Sequence, residues 1–449
     1  MKEEQLHICG GKALKGEITV SGAKNAVTKL LIASLLSDQP CHFSQVPQIT
    51  EVELTVDLCR EIGMQVEWDR EDGQMRVCTP ELATSYVPQK YCGANRIPIL
   101  LIGALLGRTT EDIIVPTVGG CALGQRPVDF HTEALRALGA EIEYRKMKRE
   151  GAYFARAHRG LKGTTITLPY PSVGATENVI LASIRAEGTT LVHNAAIEPE
   201  IVDLVLFLQK LGARLSFRGH RTICIEGDRS AFSPVHHTVL PDRIAVASFA
   251  IAALATGGDI LVRRARQRDL LSFLHYVRNL GGEFTVEEEG IRFFAQGPLQ
   301  GNIHLATDVY PGFMTDCQQP LVALLSQVEG TSIVHETVYE NRFGYVEMLQ
   351  QMGADIATFS HCLGSEPCRY HQKNFLHSLV IRGPTPLVGQ SIRIPDLRAG
   401  FACIVAALVA KGESTLQGVH FLYRGYENPV EALYQLGAQI SLKKIESTQ

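Results

Sequence analysis

The stretch Leu211-Gly212-Ala213-Arg214-Leu215 ends an apolar helical segment at a glycine and continues as an alternating strand. Glycine readily adopts the left-handed backbone that ends a helix, so the stretch predicts a helix C-terminus that turns directly into a strand. Five further copies follow the same pattern: Ile62-Gly63-Met64-Gln65-Val66, Leu138-Gly139-Ala140-Glu141-Ile142, Leu280-Gly281-Gly282-Glu283-Phe284, Met352-Gly353-Ala354-Asp355-Ile356 and Leu436-Gly437-Ala438-Gln439-Ile440. Successive glycines are 69 to 84 residues apart, which indicates an internal repeat.

A second feature recurs ahead of each glycine: an Ala/Leu-rich helical segment, a short polar turn and a strand. The helical segments are Leu31–Leu36, Ile99–Leu106, Ile180–Ala186, Phe249–Thr256, Pro320–Gln327 and Cys403–Ala410. Six units of about 70 residues group into two domains of ordinary size. We therefore predict two similar α/β domains with a cleft between them. Residues 22–238 form the first, and residues 1–21 with 239–449 form the second, whose last unit is completed by the strand Gln5–Cys9.

The composition is that of a globular protein, with 45% hydrophobic and 20% charged residues among 449. This balance excludes a disordered or coiled-coil chain, and the net charge of −4 argues against a nucleic-acid partner. The longest apolar runs are shorter than the roughly 20 residues that cross a bilayer, so no membrane partner is expected. The opening residues lack a signal-like apolar region, and the eleven cysteines are scattered. We expect a cytoplasmic protein with free thiols that is a monomer or a weak homo-oligomer.

Four segments place charged side chains in turns that contain glycine or proline, as the binding of an anionic or phosphate-containing substrate requires. The first is Ser21–Ala26, which follows a predicted strand and opens a helix. Lys24 and Asn25 offer an ammonium and an amide at the helix N-terminus, where anions bind. The segment is not a Walker loop, and a simple helix cap with a surface lysine is the alternative.

The second segment, Gly119–Asp129, contains three glycines, which is typical of an exposed loop. Cys121 lies among them, and Arg126 follows five residues later. Because a nearby guanidinium favours the thiolate, Cys121 is a candidate for a reactive sulfur or a catalytic acid. The alternative is one more buried cysteine, although glycine-rich polar surroundings do not favour burial.

The third segment, Tyr310–Pro320, contains Asp316 at a predicted helix start. Asp316 is either the N-cap of that helix or a general base for a substrate hydroxyl. The fourth group consists of three arginines in short turns, namely Arg342, Arg398 and Arg424. Arginine recognises carboxylate or phosphate through paired hydrogen bonds, and the recurrence of these arginines favours binding over isolated surface salt bridges.

With these motifs the sequence resembles the enolpyruvyl transferase family along almost its whole length. The motifs that carry the resemblance are Ser21–Ala26, Gly119–Asp129, Pro171–Thr176, Glu198–Asp203, Leu240–Arg243, Thr315–Pro320, Glu340–Phe343 and Asp396–Ala399. The Gly-Gly-Cys loop and the Arg-Pro-Val-Asp element point to the branch that uses a UDP-sugar rather than shikimate. The resemblance implies a two-domain, inside-out α/β barrel of six β-α-β-α-β-β units, with the active site in the cleft between the domains.

The resemblance also implies an enzyme of peptidoglycan precursor synthesis. Its small-molecule substrates would be phosphoenolpyruvate and UDP-N-acetylglucosamine, whose 3′-hydroxyl attacks C2 of phosphoenolpyruvate before phosphate leaves. No organic cofactor is expected. Departures from the family pattern after Arg96, at Ala245 and at Tyr423 keep another nucleotide or sugar acceptor open. A binding paralogue without turnover is the third interpretation.

The family's residue roles carry over onto matching positions of this sequence. Cys121 matches a proton donor that can also bond to phosphoenolpyruvate, and Asp316 matches the acid proposed to take the proton from the hydroxyl. The matching phosphate-binding cations are Lys24, Arg126 and Arg424. The other matches are substrate-binding residues, namely Asn25, Arg96, Pro127, Val128, Asp129, Phe130, Ser172, Val173, Gly174, Thr315, Val338, Arg342, Asp396 and Arg398.

One further cluster, His361-Cys362-x5-Cys368-x2-His371, lies in the longest interval between repeat glycines. Its residue types suit a metal, but Cys-x5-Cys is not a usual zinc spacing. The resemblance implies no metal in this region either. We therefore interpret the cluster as part of a variable loop and predict no metal-binding residues.

Overall fold

The computed structural model describes residues 3–119, 128–147, 150–228, 230 and 232–445. By their contacts these residues form two compact units, one within residues 22–240 and the other from residues 3–21 with 241–445. We number strands and helices along the chain, beginning with β1 (Glu3–Cys9) and β2 (Lys15–Thr19). Both opening strands belong to the second of these units. The role of the units as functional domains stays a prediction.

The unit within residues 22–240 alternates helices and strands in three successive repeats. Its described elements are α1 (Lys24–Ser34), β3 (Cys41–Ser44), α2 (Thr50–Ile62), β4 (Gln65–Asp69), β5 (Gln74–Cys78), α3 (Leu100–Leu106), β6 (Ile113–Pro116), α4 (Asp129–Ala137), β7 (Glu141–Met147), β8 (Glu150–Arg156), β9 (Thr165–Thr167), α5 (Val173–Ser183), β10 (Gly188–His193), α6 (Pro199–Leu211), β11 (Arg214–Arg218), β12 (Thr222–Gly227) and β13 (Val235–Thr238). Short 3-10 turns join some of them, as at Ile97–Ile99.

The other unit continues the same alternation from residue 241 onward. Its described elements are α7 (Arg243–Ala255), β14 (Asp259–Arg263), α8 (Leu271–Asn279), β15 (Glu283–Val286), β16 (Gly290–Phe294), β17 (His304–Ala306), α9 (Gln318–Leu325), β18 (Gly330–His335), α10 (Val346–Met352), β19 (Asp355–Phe359), β20 (Ser378–Gly383), β21 (Ser391–Arg393), α11 (Leu397–Val409), β22 (Glu413–Gln417), α12 (Pro429–Gln435) and β23 (Gln439–Ile445). The 3-10 turns Thr315–Cys317 and Val419–Arg424 belong to this unit as well.

The described residues form six sheets that repeat one pattern of strand pairing, in the orders β13-β3-β5-β4, β6-β8-β7, β9-β10-β12-β11, β2-β14-β16-β15, β17-β18-β20-β19 and β21-β22-β1-β23. In each four-stranded sheet the first pair is parallel and the other two pairs are antiparallel. In the three-stranded sheet, Tyr86 forms a parallel bridge to Ile114 of β6 where the others have a first strand. Leu6 of β1 pairs with Leu416 and Leu442, so the opening strand completes the sixth repeat as predicted.

The six repeat glycines all turn the chain as the sequence predicts. Their φ angles lie between 81° and 115°, in the left-handed region. At the end of α6, the N–H of Ala213 donates to the carbonyl of Leu208 at 2.9 Å, which closes the helix around Gly212. The glycine therefore recurs in the sequence because each of these helices ends at a residue with left-handed backbone conformation.

Each unit is centred on three helices, one from each repeat. These are α1, α3 and α5 in one unit and α7, α9 and α11 in the other, and all residues of α3 and α9 are buried. A helix that is apolar on all sides is stable only in a core. Strands such as β5 alternate buried and exposed residues, so the sheets cover the helices. This inside-out α/β arrangement is the predicted one. None of the described helices combines the length and apolar character needed to cross a bilayer.

Candidate active site

Asp316 lies in the 3-10 turn Thr315–Cys317, directly before α9. Cys317 occupies the N-cap position of α9, so the interpretation of Asp316 as the N-cap is wrong. Its carboxylate instead pairs with Nη2 of Arg342, and its Oδ1 lies 3.7 Å from Nε of Arg398. Asp316 remains 25% exposed. Two guanidinium groups beside a carboxylate favour its ionised form, which is the form that a general base requires.

The two arginines that hold Asp316 are almost completely buried, with side chains 1% and 5% exposed for Arg342 and Arg398. Burial alone would lower the pKa of Arg342, but nearby carboxylates, with Asp316 first among them, outweigh it and raise the pKa. The pKa of Arg398 is raised in the same way, against its own burial. Nη1 of Arg398 is buried and has no hydrogen-bond partner among the described residues. A carboxylate or phosphate would satisfy such a donor.

Glu336 joins two of the predicted substrate-binding residues. Its Oε2 accepts a hydrogen bond from Oγ1 of Thr315 at 2.8 Å, and its Oε1 accepts from the N–H groups of Val338 and Tyr339 at 2.8 and 3.0 Å. Burial raises the pKa of Glu336, and Arg342 opposes that rise. Glu336 was not predicted from the sequence; the signal available there was an acidic residue directly after a strand, β18.

Asp396 begins the helix that carries Arg398. Its Oδ1 accepts from the N–H groups of Arg398 and Ala399 at 2.8 and 3.1 Å, which makes it the N-cap of α11. The role seen in the structure is therefore to start the helix with Arg398 in its first turn. Arg424, at the end of the turn Val419–Arg424, lies two residues before Tyr426, whose buried ring is 5.6 Å from the Arg398 guanidinium.

In the other unit, Lys24 and Asn25 are the first two residues of α1, so the segment opens a helix as predicted. Both side chains are half-buried. The N-cap residue Ala23 has no side chain that caps the helix, and the first turn contains no acidic residue. The partial positive charge of this helix N-terminus and the Lys24 ammonium thus lie together, which suits an anionic ligand.

The starts of α4 and α5 lie against each other. Oγ of Ser172 accepts from the N–H of Ala175 at 3.4 Å and caps α5. A Cβ on Gly174 would come within 3.1 Å of Cε1 of His131 in α4. The structure therefore brings the predicted residues Ser172, Val173 and Gly174 next to the helix start that carries Val128, Asp129 and Phe130.

Arg96 lies beside the start of the glycine-rich loop. Its neighbour Asn95 donates through Nδ2 to Oε2 of Glu51 at 3.1 Å and accepts from the N–H of Gly119 through its carbonyl at 3.0 Å. Those two hydrogen bonds tie Asn95 to Glu51 and to Gly119, the residue at which the glycine-rich loop begins. Three predicted site residues lie outside the described residues: Cys121, Arg126 and Pro127.

Two buried polar residues in α5 were not predicted, although they interrupt an apolar helical run. Asn178 joins two helices, because its Oδ1 accepts from the N–H of Gly103 at 2.9 Å and its Nδ2 donates to the carbonyl of Ile99 at 3.1 Å. Glu177 is 1% exposed, and burial raises its pKa to about 7 although Lys29 opposes the rise. An ionisable group of this kind in the core carries a cost that depends on pH.

Comparison with known proteins decides the family. The family model for EPSP synthase (3-phosphoshikimate 1-carboxyvinyltransferase) matches residues 8–433. The chain belongs to this family. As a member of the EPSP synthase family it is 62% identical, over 98% of its own length and 95% of the relative's, to UDP-N-acetylglucosamine 1-carboxyvinyltransferase of Protochlamydia amoebophila. It is 52% identical to the protein of the same name from Chlamydia pneumoniae, over 100% and 97% of the two lengths.

A solved structure shares the fold of this EPSP synthase family member. The enolpyruvyl transferase NikO from Streptomyces tendae matches it with a TM-score of 0.84 at 24% identity, covering 99% of this chain and 100% of that chain. The predicted resemblance, the predicted fold and the prediction of an enolpyruvyl (carboxyvinyl) transferase are therefore confirmed. The roles of individual site residues stay predictions.

Proposed function

We propose that the protein transfers the enolpyruvyl group of phosphoenolpyruvate to the 3′-hydroxyl of UDP-N-acetylglucosamine, releases phosphate and thereby serves peptidoglycan precursor synthesis. The names of its relatives support the acceptor. The observation that best supports the chemistry is the carboxylate of Asp316 held by two buried arginines. Because both substrates are phosphorylated metabolites, we place the protein in the cytoplasm. That it acts as a monomer or weak homo-oligomer stays a separate prediction.

The reaction needs one group that accepts a proton and one that donates a proton. In the addition step the sugar oxygen bonds to C2 of phosphoenolpyruvate, its proton passes to Asp316, and C3 gains a proton from Cys121. In the elimination step the bond from C2 to the phosphate oxygen breaks, the Cys121 thiolate takes a proton from C3, and the proton held by Asp316 passes to the leaving phosphate, so both groups return to their starting forms. An ionised Asp316 and a protonated Cys121 are the starting forms that this sequence of steps requires.

The charge of phosphoenolpyruvate accounts for the number of cations. Arg342 and Arg398 are assigned to its carboxylate, and Nη1 of Arg398 is a buried donor that such an anion would satisfy. The cations assigned to its phosphate are Lys24, Arg126 and Arg424, with Asn25 beside them. Cations that face the leaving phosphate stabilise the charge that develops as the bond to C2 breaks.

The nucleotide sugar is assigned to residues at the starts of helices and turns. The hydrogen bonds through Glu336 place Thr315 and Val338 in one small group, which supports their joint assignment. The packing of α4 against α5 supports the joint assignment of Val128 to Phe130 with Ser172 to Gly174. The remaining assignments, which rest on the family resemblance, are Arg96, Pro127 and Asp396.

A phosphate-release assay with a panel of acceptors tests the proposed reaction. The panel contains UDP-N-acetylglucosamine, other UDP-sugars, a free nucleotide and shikimate 3-phosphate, each with phosphoenolpyruvate. We expect the fastest release with UDP-N-acetylglucosamine. Faster release with another acceptor would establish the alternative substrate, and binding of both ligands without any release would establish a binding paralogue.

The variant Asp316→Asn tests the assigned base. The amide keeps the shape of the side chain but cannot take the proton, so kcat should fall by about 10²- to 10⁴-fold. Calorimetry should still detect binding of UDP-N-acetylglucosamine. Asp355→Asn is the matched control, since Asp355 forms an exposed ion pair with Arg382 at 3.4 Å and should leave kcat unchanged. Full activity of Asp316→Asn would remove Asp316 from the mechanism.

A further inference from the structure

A second cluster of chemically active side chains lies at one end of the sheet β17-β18-β20-β19. It consists of the last residue of β18, the residue directly before β20 and two cysteines from the connection between β19 and β20, namely His335, His377, Cys362 and Cys368. One nitrogen or sulfur atom from each of the four lies within 4.8 Å of the others. In the sequence these cysteines lie between His361 and His371, whereas the structure brings them to His335 and His377.

The distances in this cluster fit tetrahedral metal coordination. Sγ of Cys362 lies 3.7 Å from Sγ of Cys368 and 3.4 Å from Nε2 of His377. Zinc bonds of about 2.3 Å to sulfur and about 2.0 to 2.1 Å to nitrogen separate two sulfurs by about 3.8 Å and a sulfur from a nitrogen by about 3.6 Å. Both cysteines are free thiols. The side chains therefore have the spacing of zinc ligands without being bonded to one another.

Neighbouring groups hold the side chains of the cluster in orientations that suit metal ligands. Nδ1 of His377 donates to the carbonyl of Phe375 at 2.7 Å, which leaves the lone pair of Nε2 facing Cys362. The N–H of Tyr370 donates to Sγ of Cys368 at 3.3 Å, so a backbone hydrogen bond holds this sulfur in place, as is common around metal ligands. His335 is 1% exposed, and its Nε2 has no hydrogen-bond partner within the described part of the chain. A buried nitrogen of this kind needs a partner, and a metal ion is one.

The fold explains why this end of the sheet would need a metal. The connection between β19 and β20 spans residues 360–377, whereas the corresponding connections span 70–73, 219–221 and 287–289. Residues 360–377 contain neither helix nor strand. A long irregular connection buries little apolar surface of its own, and small structures of this kind are commonly held by disulfides or a structural metal.

We propose that His335, Cys362, Cys368 and His377 bind one structural Zn²⁺ ion, which ties the connection 360–377 to the end of the sheet. Two thiolates and two imidazoles complete a tetrahedron, so the site is closed to substrate and has no part in the transfer chemistry. The connection also reaches the predicted substrate pocket. Oη of Tyr370 donates to the carbonyl of Val338 at 2.8 Å, so the metal would stabilise the segment that carries Val338.

Metal analysis of the full-length protein, purified with reductant and supplied with Zn²⁺, tests the site. We expect about one tightly held zinc per chain. Replacement by Co²⁺ should give the intense visible bands of a tetrahedral ion and a thiolate-to-cobalt charge-transfer band. Bound zinc should also protect Cys362 and Cys368 from alkylation, and removal of the zinc by a chelator should expose them.

Variants separate this site from adventitious binding. Cys368→Ser should lose the zinc and the charge-transfer intensity, whereas His371→Gln and Cys92→Ser should keep both. Zinc far below one per chain after reconstitution, or unchanged zinc in Cys368→Ser, would overturn the proposal. A disulfide between Cys362 and Cys368 in the zinc-supplied protein would do the same. If Cys368→Ser does not fold, the cobalt spectrum of the unaltered chain decides, because a spectrum without a sulfur band excludes these ligands.

Discussion

Replacing Glu177 with glutamine should remove a loss of stability that the wild-type protein undergoes as the pH rises from 4.5 to about 7. Glu177 lies in the buried helix α5, and its Oε2 has no hydrogen-bond partner among the described residues. Burial raises its pKa from 4.5 to about 7, with smaller contributions of the same sign from Glu200 and Glu198 and an opposing one from Lys29. The side chain is therefore held in the core mainly as a neutral acid at moderately acidic pH.

The sign of the effect follows from the two pKa values. Below pH 4.5 the carboxyl group of Glu177 is protonated in both the folded and the unfolded chain, so folding carries no ionisation cost. Between pH 4.5 and about 7 the unfolded chain loses this proton while the folded chain keeps it, so the free energy of unfolding falls. Above about pH 7 the loss is complete, and the gap between the two pKa values corresponds to about 3 kcal/mol.

Urea unfolding between pH 4.5 and 8.5, followed for wild type and Glu177→Gln, measures this loss. The amide does not titrate, so its own packing cost is the same at every pH and cancels from the slope. The stability of Glu177→Gln relative to wild type should rise by about 3 kcal/mol across this range. Glu187→Gln, an exposed glutamate shortly after α5, is the matched control and should give a constant difference. A constant difference for Glu177→Gln as well would refute a buried, protonated Glu177.

Two further predictions concern the repeat glycines and the cysteines. Gly63→Ala should destabilise the protein more than Gly437→Ala in thermal unfolding. Both glycines have positive φ, so each substitution should lower the free energy of unfolding by about 1 to 2 kcal/mol. At Gly63 the new Cβ would also come within 2.7 Å of the backbone N of Ala83, which adds a steric cost that Gly437 does not have. Equal losses would show that the contact does not matter. A small electrophile should label Cys121 first in peptide mass spectrometry, and UDP-N-acetylglucosamine should change the rate. Earlier labelling of the cysteines whose pKa is raised by burial would contradict this prediction: Cys59, Cys317 and Cys403.

The fold could be predicted because its signals are local. A glycine that must adopt positive φ, such as Gly212, and an apolar run that becomes a core helix, such as Phe249–Thr256 at the end of α7 and its C-cap, are each visible in a few residues. Their recurrence then gave the number of units. The place of β1 in the last sheet was predicted because this strand precedes the first unit, and the pairing of Leu6 with Leu416 agrees with that prediction.

Side-chain partners were harder to predict because they depend on pairing between distant segments. His335 and His377 meet because β18 and β20 pair antiparallel, with His335 opposite Ser378. The sequence instead offered His361 and His371, which are closer to the cysteines along the chain. The sequence left Asp316 open between a helix cap and a general base for a related reason, since the arginine that pairs with it lies 26 residues away in the chain.

The repeat also explains why candidate site residues recur at one kind of position. Each of the six core helices has a charged or capping residue at its start: Lys24 at α1, Arg96 before α3, Ser172 at α5, Arg243 at α7, Asp316 before α9 and Arg398 at α11. In the unit of residues 241–445 these starts lie close together, since Arg398 and Arg243 both act electrostatically on the thiol of Cys317 beside Asp316. Three equivalent helices packed in one core bring three N-termini to the same end, where their backbone dipoles favour anions. The repeat that packs the core thus also supplies an end that suits anions, and the residues at this end differ from one repeat to the next.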